Sequence, residues 1–494
     1  MSISGIGSRS ALGVQSLVDM RAQLDDLQRQ LGTGKRASTY AGVGLERGFV
    51  VGLRSHVAAL SSFDDAGTQV GVRVNLAQSV LGRIGDIGHA VKATAFQQSN
   101  IDSSGSTTGQ TVAYSELGEI LGLLNTRSGD RYLFSGRATD QPAVESVDHI
   151  MNGDGARAGF KQIVAERKQA DLGANGLGRL VVSAPTATAV SLAEDSVSPF
   201  GLKLSGVNST LSNATVTGPA GAPAALSVNL TGLPNAGGTL QVRFNLPDGT
   251  SESITLTATS SPTPGANEFA IGATPAATAA NLQAKLTATL GKLADTSLTA
   301  ASAVTAGNDF FGDPPQRVSG PPFNSATALV TGTPSNTVTW YTGENGPDPA
   351  RATATARVDS AISVSYGVRA NEQGIRWTIQ NIAALAVVTF PPGDPNATAR
   401  NGALNRRVGT NLDTPAGIQQ VKDIQAELAG VQSTIATATD RHQQTKSTLA
   451  DLLEQIEGVP VEQVAAQILA LQTRLQASLQ TTSMLYKISL VNYI

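Results

Sequence analysis

Four histidines, His56, His89, His149 and His442, are the only imidazoles in a chain that contains no cysteine. None has a second histidine one helical turn away, and none sits in a cluster of acidic residues. Those are the spacings that let several side chains close on one metal ion. Without thiols, disulfides, thiolate nucleophiles and cysteine-based zinc sites are excluded together. Each histidine therefore reads as a packed or solvated side chain. Gly42-Val-Gly44 with Gly48 misses the dinucleotide-binding spacing by one residue and follows no strand. Gly32-Thr-Gly-Lys35 lacks the upstream glycine and the following Ser or Thr of a phosphate loop. Both read as glycines that break helices. Asn152-Gly-Asp-Gly155 begins like a calcium loop but has no ligating Glu at the required offset, and reads as a turn. No Gly-x-Ser-x-Gly nucleophile elbow occurs. The expectation is a non-enzymatic chain with no catalytic residue, no cofactor and no metal.

The strongest signals are helical seams. Leu17, Met20, Leu24, Leu27 and Leu31 follow alternating spacings of three and four, as in a coiled coil, with Arg21, Gln23, Asp25, Asp26, Gln28 and Arg29 between them. Gly32-Thr-Gly34 ends that helix, because glycine adopts the left-handed conformation after a last turn. A second helix is expected from about Leu45 to Gln98, with a kink or skip near Ala66-Gly67. A third carries Leu117, Ile120, Leu121 and Leu124. At the other end Ile424, Leu428, Val431, Ile435 and Ala438, then Leu449, Leu452 and Ile456, mark a helix expected over Thr414 to Glu457. Gly458 and Pro460 punctuate it. A last helix carries Val464, Ile468, Leu471, Leu475, Leu479, Thr482 and Leu485. Two ends of the same design, each a long helix and a terminal helix parted by glycine, imply antiparallel pairing. The segment Met484 to Ile494, which includes Leu490, carries only Lys487 as a charge, so apolar surface is left over for contacts between copies. Leucine stripes also serve as ordinary intrachain core, and pairing of the ends uses part of each seam.

Composition narrows the class further. Aromatic residues make up 4% of the chain and charged residues 15%, which favours close helix contacts and thin β layers over one thick aromatic core. A net charge of −3 gives no general attraction to nucleic acid or anionic lipid. The first residues lack a signal-peptide pattern, and no apolar run reaches the roughly 18 residues of a membrane span. The expectation is a protein without nucleic-acid or membrane partners that leaves the cell, if it does, without a cleaved signal peptide.

Between about Gly201 and Asp309 charges become sparse and small residues dominate. Leu226-Ser-Val-Asn-Leu230 and Leu240-Gln-Val-Arg-Phe244 alternate as half-buried strands do, and Pro247-Asp-Gly249 turns into Ser253-Ile-Thr-Leu-Thr257. Leu282, Leu286 and Leu290 predict one short helix. Around this insert, Phe160, Ile163 and Val164 mark a helix, Arg179 to Ser183 a strand, Ala354 to Tyr366 an extended stretch, and Ile375, Ile379 and Ile382 another helix.

These features resemble the flagellin-like axial proteins of bacterial flagella, over roughly the first 185 and last 150 residues. Leu31-Gly-Thr-Gly-Lys-Arg36 is similar to the close of the family's N-terminal helix. Asp130-Arg-Tyr-Leu-Phe-Ser-Gly-Arg-Ala-Thr-Asp-Gln-Pro142 looks like its hairpin after the third helix. The tail Leu475 to Ile494, ending Ser-Leu-Val-Asn-Tyr-Ile, resembles the junction proteins between hook and filament more than flagellins. After Arg36 the chain continues Ala-Ser-Thr-Tyr-Ala-Gly-Val-Gly, where many flagellins carry Asn-Ser-Ala or Asn-Ser-Pro, which weighs against the filament subunit.

The resemblance implies a mainly α fold with a β-rich insert: an antiparallel N- and C-terminal helical coiled-coil bundle, a mixed α/β shoulder and an outer β domain. Residues 1–40 and 460–494 would be terminal assembly helices, 41–195 and 325–459 a helical rod with hairpins, and 196–324 the variable outer domain. The implied role is a hook–filament adaptor outside the cell, with copies of itself, the first hook-associated protein, flagellin, the flagellar export apparatus and a cytoplasmic export chaperone as partners. Residues Leu17, Met20, Leu24, Leu27, Leu31, Val464, Ile468, Leu471, Leu475, Leu479, Leu485, Leu490 and Ile494 would form the assembly seams. The other readings are flagellin itself, a secreted carbohydrate-binding or adhesin-like protein, and an enzyme with its site in the insert. The last has little to work with. Lys203, Arg243, Asp248, Glu252, Glu268, Lys285, Lys292, Asp295 and Asp309 are widely spaced.

Overall fold

A computed structural model describes residues 4–97, 101–391 and 393–491, with the side chains of residues 4–10 and 485–491 left out. The chain is about 53% helical with several small sheets, a mixed helix and sheet class. It divides into two compact units. The first joins Met1–Gly71, Ala356–Val364 and Ser433–Ile494; the second joins Val72–Thr355 and Ser365–Gln432.

In the first unit, α1 (Ser4–Thr33) ends at Gly34, whose φ of 67° suits glycine. A short 3-10 segment, Tyr40–Glu46, leads into α2 (Arg47–Ala95), whose residues up to Gly71 belong here. Where a kink or skip is expected, near Ala66-Gly67, the helix shows no break. Helix continues through both residues, and a Cβ on Gly67 would lie 3.2 Å from Ile435 Cγ2, so this glycine serves close packing.

In the second unit, α3 (Thr108–Leu124) opens on a capping box. The Thr107 hydroxyl accepts from the Gln110 amide at 3.2 Å, and the Gln110 side chain accepts from the Thr107 amide at 2.9 Å. A hairpin of two-residue strands follows, β1 (Arg127–Ser128) with β2 (Arg131–Tyr132), and its first strand precedes the Asp130–Pro142 stretch where the resemblance implies a hairpin. Helices α4 (Val147–Asn152) and α5 (Phe160–Leu172) are joined by a turn. There the Asp154 carboxylate accepts from the Arg157 amide at 2.7 Å and from its Nε at 2.7 Å, so Asn152–Gly155 is a structural turn.

The β-rich part begins earlier than the expected 196. Strands β3 (Leu180–Thr186) and β4 (Ala189–Glu194) join β7 (Ala225–Leu230) and β6 (Ala214–Ala220) in the order β3-β4-β7-β6. A second sheet has the order β10-β9-β8-β5, from Glu268–Ala270, Ser251–Thr259, Thr239–Asn245 and Lys203–Ser209. Only β10 with β9 is parallel within these two sheets. Alternation sends Leu226, Val228 and Leu230 into one core with Leu240, Val242 and Phe244. Leu282, Leu286 and Leu290 of α6 (Pro275–Leu293) close it. Thr274 caps α6 by accepting from the Ala277 amide at 3.1 Å, and Pro275 takes the first turn, where its missing N–H costs nothing.

The expected short helix does not end there. A π turn, Ala294–Leu298, carries it into α7 (Thr299–Phe311), which is buried almost all round. Its small residues leave no polar face to reveal it by period. A Cβ on Gly307 would come within 3.2 Å of the Gln380 carbonyl oxygen in α8 (Gln373–Val387), so the two helices pass backbone to backbone. Phe160, Phe310, Phe311 and Trp340 pack tilted or edge to face with centroids 5.0 to 5.5 Å apart.

Helix α9 (Ala397–Leu412) is additional to the expected elements, and the last long helix starts later than Thr414. Thr414 and Gly417 take φ of 54° and 88°, and α10 begins at Val421 and runs to Glu457. From Ser433 onward α10 belongs to the first unit, as does α11 (Val461–Val491). Among the described residues no helix is long and apolar enough to cross a membrane.

Candidate assembly surface

Helix α11 can pair with α1 because both carry apolar residues at three- and four-residue spacing. The joint is tied by backbone: the Val459 amide donates to the Gly34 carbonyl at 3.0 Å, and the Arg36 amide to the Glu457 carbonyl at 2.7 Å. Leu27, Val464, Ile468 and Leu471 form the buried cluster, with Met20 and Leu24 against it. Leu17 and Leu475 are half-buried on the same pair. Leu31 and Leu479 face solvent, at 39% and 49% exposure. Leu485 and Leu490 lie in α11 with undescribed side chains, and Ile494 lies outside the described residues. The seam expected from sequence is therefore mostly an intrachain contact.

The surplus apolar surface lies on residues outside the heptad stripe. Leu12, Val14 and Val18 on α1 and Val461, Leu469 and Met484 on α11 are each more than half exposed. Two paired helices bury one stripe each, so apolar residues on their other faces meet water. The signal was present as extra apolar residues off the seam register.

A second seam follows in the same unit, where Leu53, Leu60 and Leu449 are buried with Val57, Leu452, Leu453 and Ile456. Beyond it lies a charged cluster. His442 Nδ1 is 2.6 Å from Asp64, whose other oxygen accepts from Lys446 at 2.6 Å. Burial pushes the Asp64 carboxyl up, but the bonds from Lys446 and His442 outweigh it and hold it below the usual range. Asp359 accepts from Arg441 and lies 3.5 Å from His442 Nε2. Burial opposes its charge as well, yet the Ser360 bonds and Arg441 bring it down to about 2. Phe63 packs 6.1 Å from the His442 ring. His442 is thus a packed histidine fixed by acids. His149 lies 3.2 Å from Glu145, one turn before it.

In the second unit the insert's scattered acids find partners far away in sequence. Arg407 Nε donates to Asp248 at 2.8 Å and its Nη2 to Glu252 at 3.3 Å. Arg400 bonds Asp295 at 2.5 Å and Asp394 at 2.8 Å. Arg167 bonds Asp171 at 2.9 Å and Asp309 at 2.7 Å. Two carboxylates share that buried guanidinium; burial, with Asp171 beside it, pushes Asp309 up. Lys203 pairs with Glu194, and Glu268 accepts from the Gly265 amide at 2.9 Å. These pairings need folded neighbours and were invisible in spacing. They fix the architecture, and they leave Asp248, Asp295 and Asp309 occupied by arginine.

Neither a scan of protein-family models nor a search of curated proteins finds a match to this chain.

Proposed function

We infer that this chain is a non-catalytic structural subunit of the bacterial flagellum, an adaptor at the junction of hook and filament. The observation that carries the reading is the α1–α11 pair, which buries one stripe and leaves Leu12, Val18, Leu469 and Met484 exposed for other copies. The resemblance of Leu31–Arg36, Asp130–Pro142 and the tail from Leu475 supplies the identity of the assembly. In that setting the paired terminal helices form a coiled-coil bundle in the inner tube and the β-rich insert is an outer domain. The partners are copies of itself, the first hook-associated protein, flagellin, the export apparatus and a chaperone. Arginine-bound acids in the insert support assembly over catalysis.

A null strain tests the adaptor. It should build hooks and release flagellin monomers into the medium, because filaments have nothing to nucleate on. Antibody against this chain should label a band at the distal end of the hook. Label along the whole filament would overturn the adaptor in favour of flagellin.

A further inference from the structure

The bend between α1 and α2 forms an open pocket of about 190 Å³ whose lining is cationic. Arg29, Lys35 and Arg54 face it with a single carboxylate, Glu457; Asp26, paired with Arg29 at 2.5 Å, offsets one further charge, so three positive charges less two negative leave +1. Glu457 is already shared, accepting from Arg54 Nη2 at 2.6 Å with Lys35 Nζ 3.8 Å away. Arg29 spends Nε and Nη2 on Asp26, at 3.2 and 2.5 Å, and its buried Nη1 has no hydrogen-bond partner. A buried guanidinium nitrogen without an acceptor is costly.

Hydroxyls complete the lining. Tyr40 accepts from Arg54 Nη1 at 2.9 Å, which leaves its own proton to donate. Ser38 and Thr39 also line the pocket, and among the described residues their hydroxyls make no hydrogen bond. Excess positive charge, an unpaired guanidinium nitrogen and free hydroxyl donors form a receptor that lacks its acceptor.

We propose that this pocket binds a tetrahedral oxyanion of the phosphate or sulfate type. The excess of positive charge favours an anion, and several oxygens can accept from guanidinium, ammonium and hydroxyl donors together. The site differs from a nucleotide loop, since its cations come from α1, the bend and α2, and no run of glycine amides cradles the ligand. Occupancy ties the end of α1, the start of α2 and the end of α10, all within the first unit, through one ligand. It should stiffen residues 37–46, which link α1 to α2 through the short 3-10 segment. Anion binding here is independent of the flagellar assignment.

The test is titration of the full-length monomer with inorganic phosphate and with sulfate, at ionic strength matched by chloride, followed by calorimetry and by hydrogen exchange. The expected result is saturable binding of one anion per chain, slower exchange over residues 37–46, and no effect of chloride. Lys35→Gln removes a half-exposed ammonium without touching the core and should weaken binding about tenfold, the factor that one charge-assisted hydrogen bond commands. Arg54→Gln should weaken it further. No saturable binding, or binding unchanged in both variants, overturns the proposal. Failure of both anions together with lower self-association of the Lys35 variant also overturns it, and would assign the pocket to a carboxylate of a second copy.

Discussion

Adjacent residues on α11 should separate folding from assembly. Ile468 is 8% exposed and packed with Leu27, Val464 and Leu471; Leu469, the next residue, is 66% exposed. Ile468→Ala deletes buried methyl groups. Such losses range over about 2–5 kcal/mol in a closed core, and a seam between two helices with water on both flanks belongs at the low end, near 2 kcal/mol. At about 1.4 kcal/mol per tenfold, opening of the α1–α11 pair should rise roughly 30-fold. Leu469→Glu should leave the monomer within about 0.5 kcal/mol of wild type, as an exposed substitution does. If neighbouring copies cover this face, the same change removes about 1.5–3 kcal/mol of burial from each contact and forces a carboxylate out of water. Hydrogen exchange of the monomer should therefore speed up over α1 and α11 in Ile468→Ala alone. Sedimentation of assembled material should fall sharply in Leu469→Glu. Normal assembly of Leu469→Glu would refute the exposed face as a contact surface. Unchanged exchange in Ile468→Ala would refute the seam as what holds the ends together.

Acid should loosen the first unit before the second. Asp64 and Asp359 are held below their ordinary values, so their contribution is complete above about pH 4 and is lost as pH falls through the lowered values, about 2 for Asp359; Asp309 in the second unit is held up, so its contribution runs the other way. Pepsin digestion at stepped pH should cut residues of the first unit first, and Asp359→Asn should flatten the dependence. Arg407→Met strands Asp248, whose side chain is 3% exposed, and should cost about 3–5 kcal/mol in denaturant unfolding, with Asp248→Leu restoring much of it. Deleting residues 201–309 should give an aggregating chain in solubility assays, because β3 and β4 lose β7 and Arg167 loses Asp309; a soluble, assembling deletion would refute a shared core.

Periodicity carried the elements whose two faces differ. Leu282, Leu286 and Leu290 disclose α6, and the alternation at 226–230 and 240–244 discloses β7 and β8, because one face of each is wet. It failed where that contrast vanishes. In α7 nearly every side chain is buried, so Ala, Ser, Thr and Gly occur on all sides and no stripe forms. In α9 the buried face contains Arg400, Asn401 and Arg407, which read as solvent residues until their acids arrive from elsewhere in the chain. The terminal seam was legible as a stripe, but a stripe does not say whether its partner is another segment or another copy. Leu27 against Ile468 answers for this chain, and Leu12 and Leu469 remain outward.

The arginines of α9 also bear on what the insert can do. Arg400 and Arg407 lie seven residues apart, two turns of helix, and so project from one face. That face meets Asp295 from the π turn, Asp248 from the hairpin turn and Glu252 from β9. Three acids distant in sequence are thereby drawn to one helix that is not itself part of either sheet. Ser297 donates to the same Glu252 at 3.0 Å, adding a further bond at this junction. A hinge between sheets and helices would require these charge pairs to open together, leaving the buried Arg400, Arg407 and Asp248 without their partners. A catalytic role for these carboxylates would require the same unpairing. Fixed attachment of the sheets to α9 explains why the acids of so weakly charged an insert sit where they do.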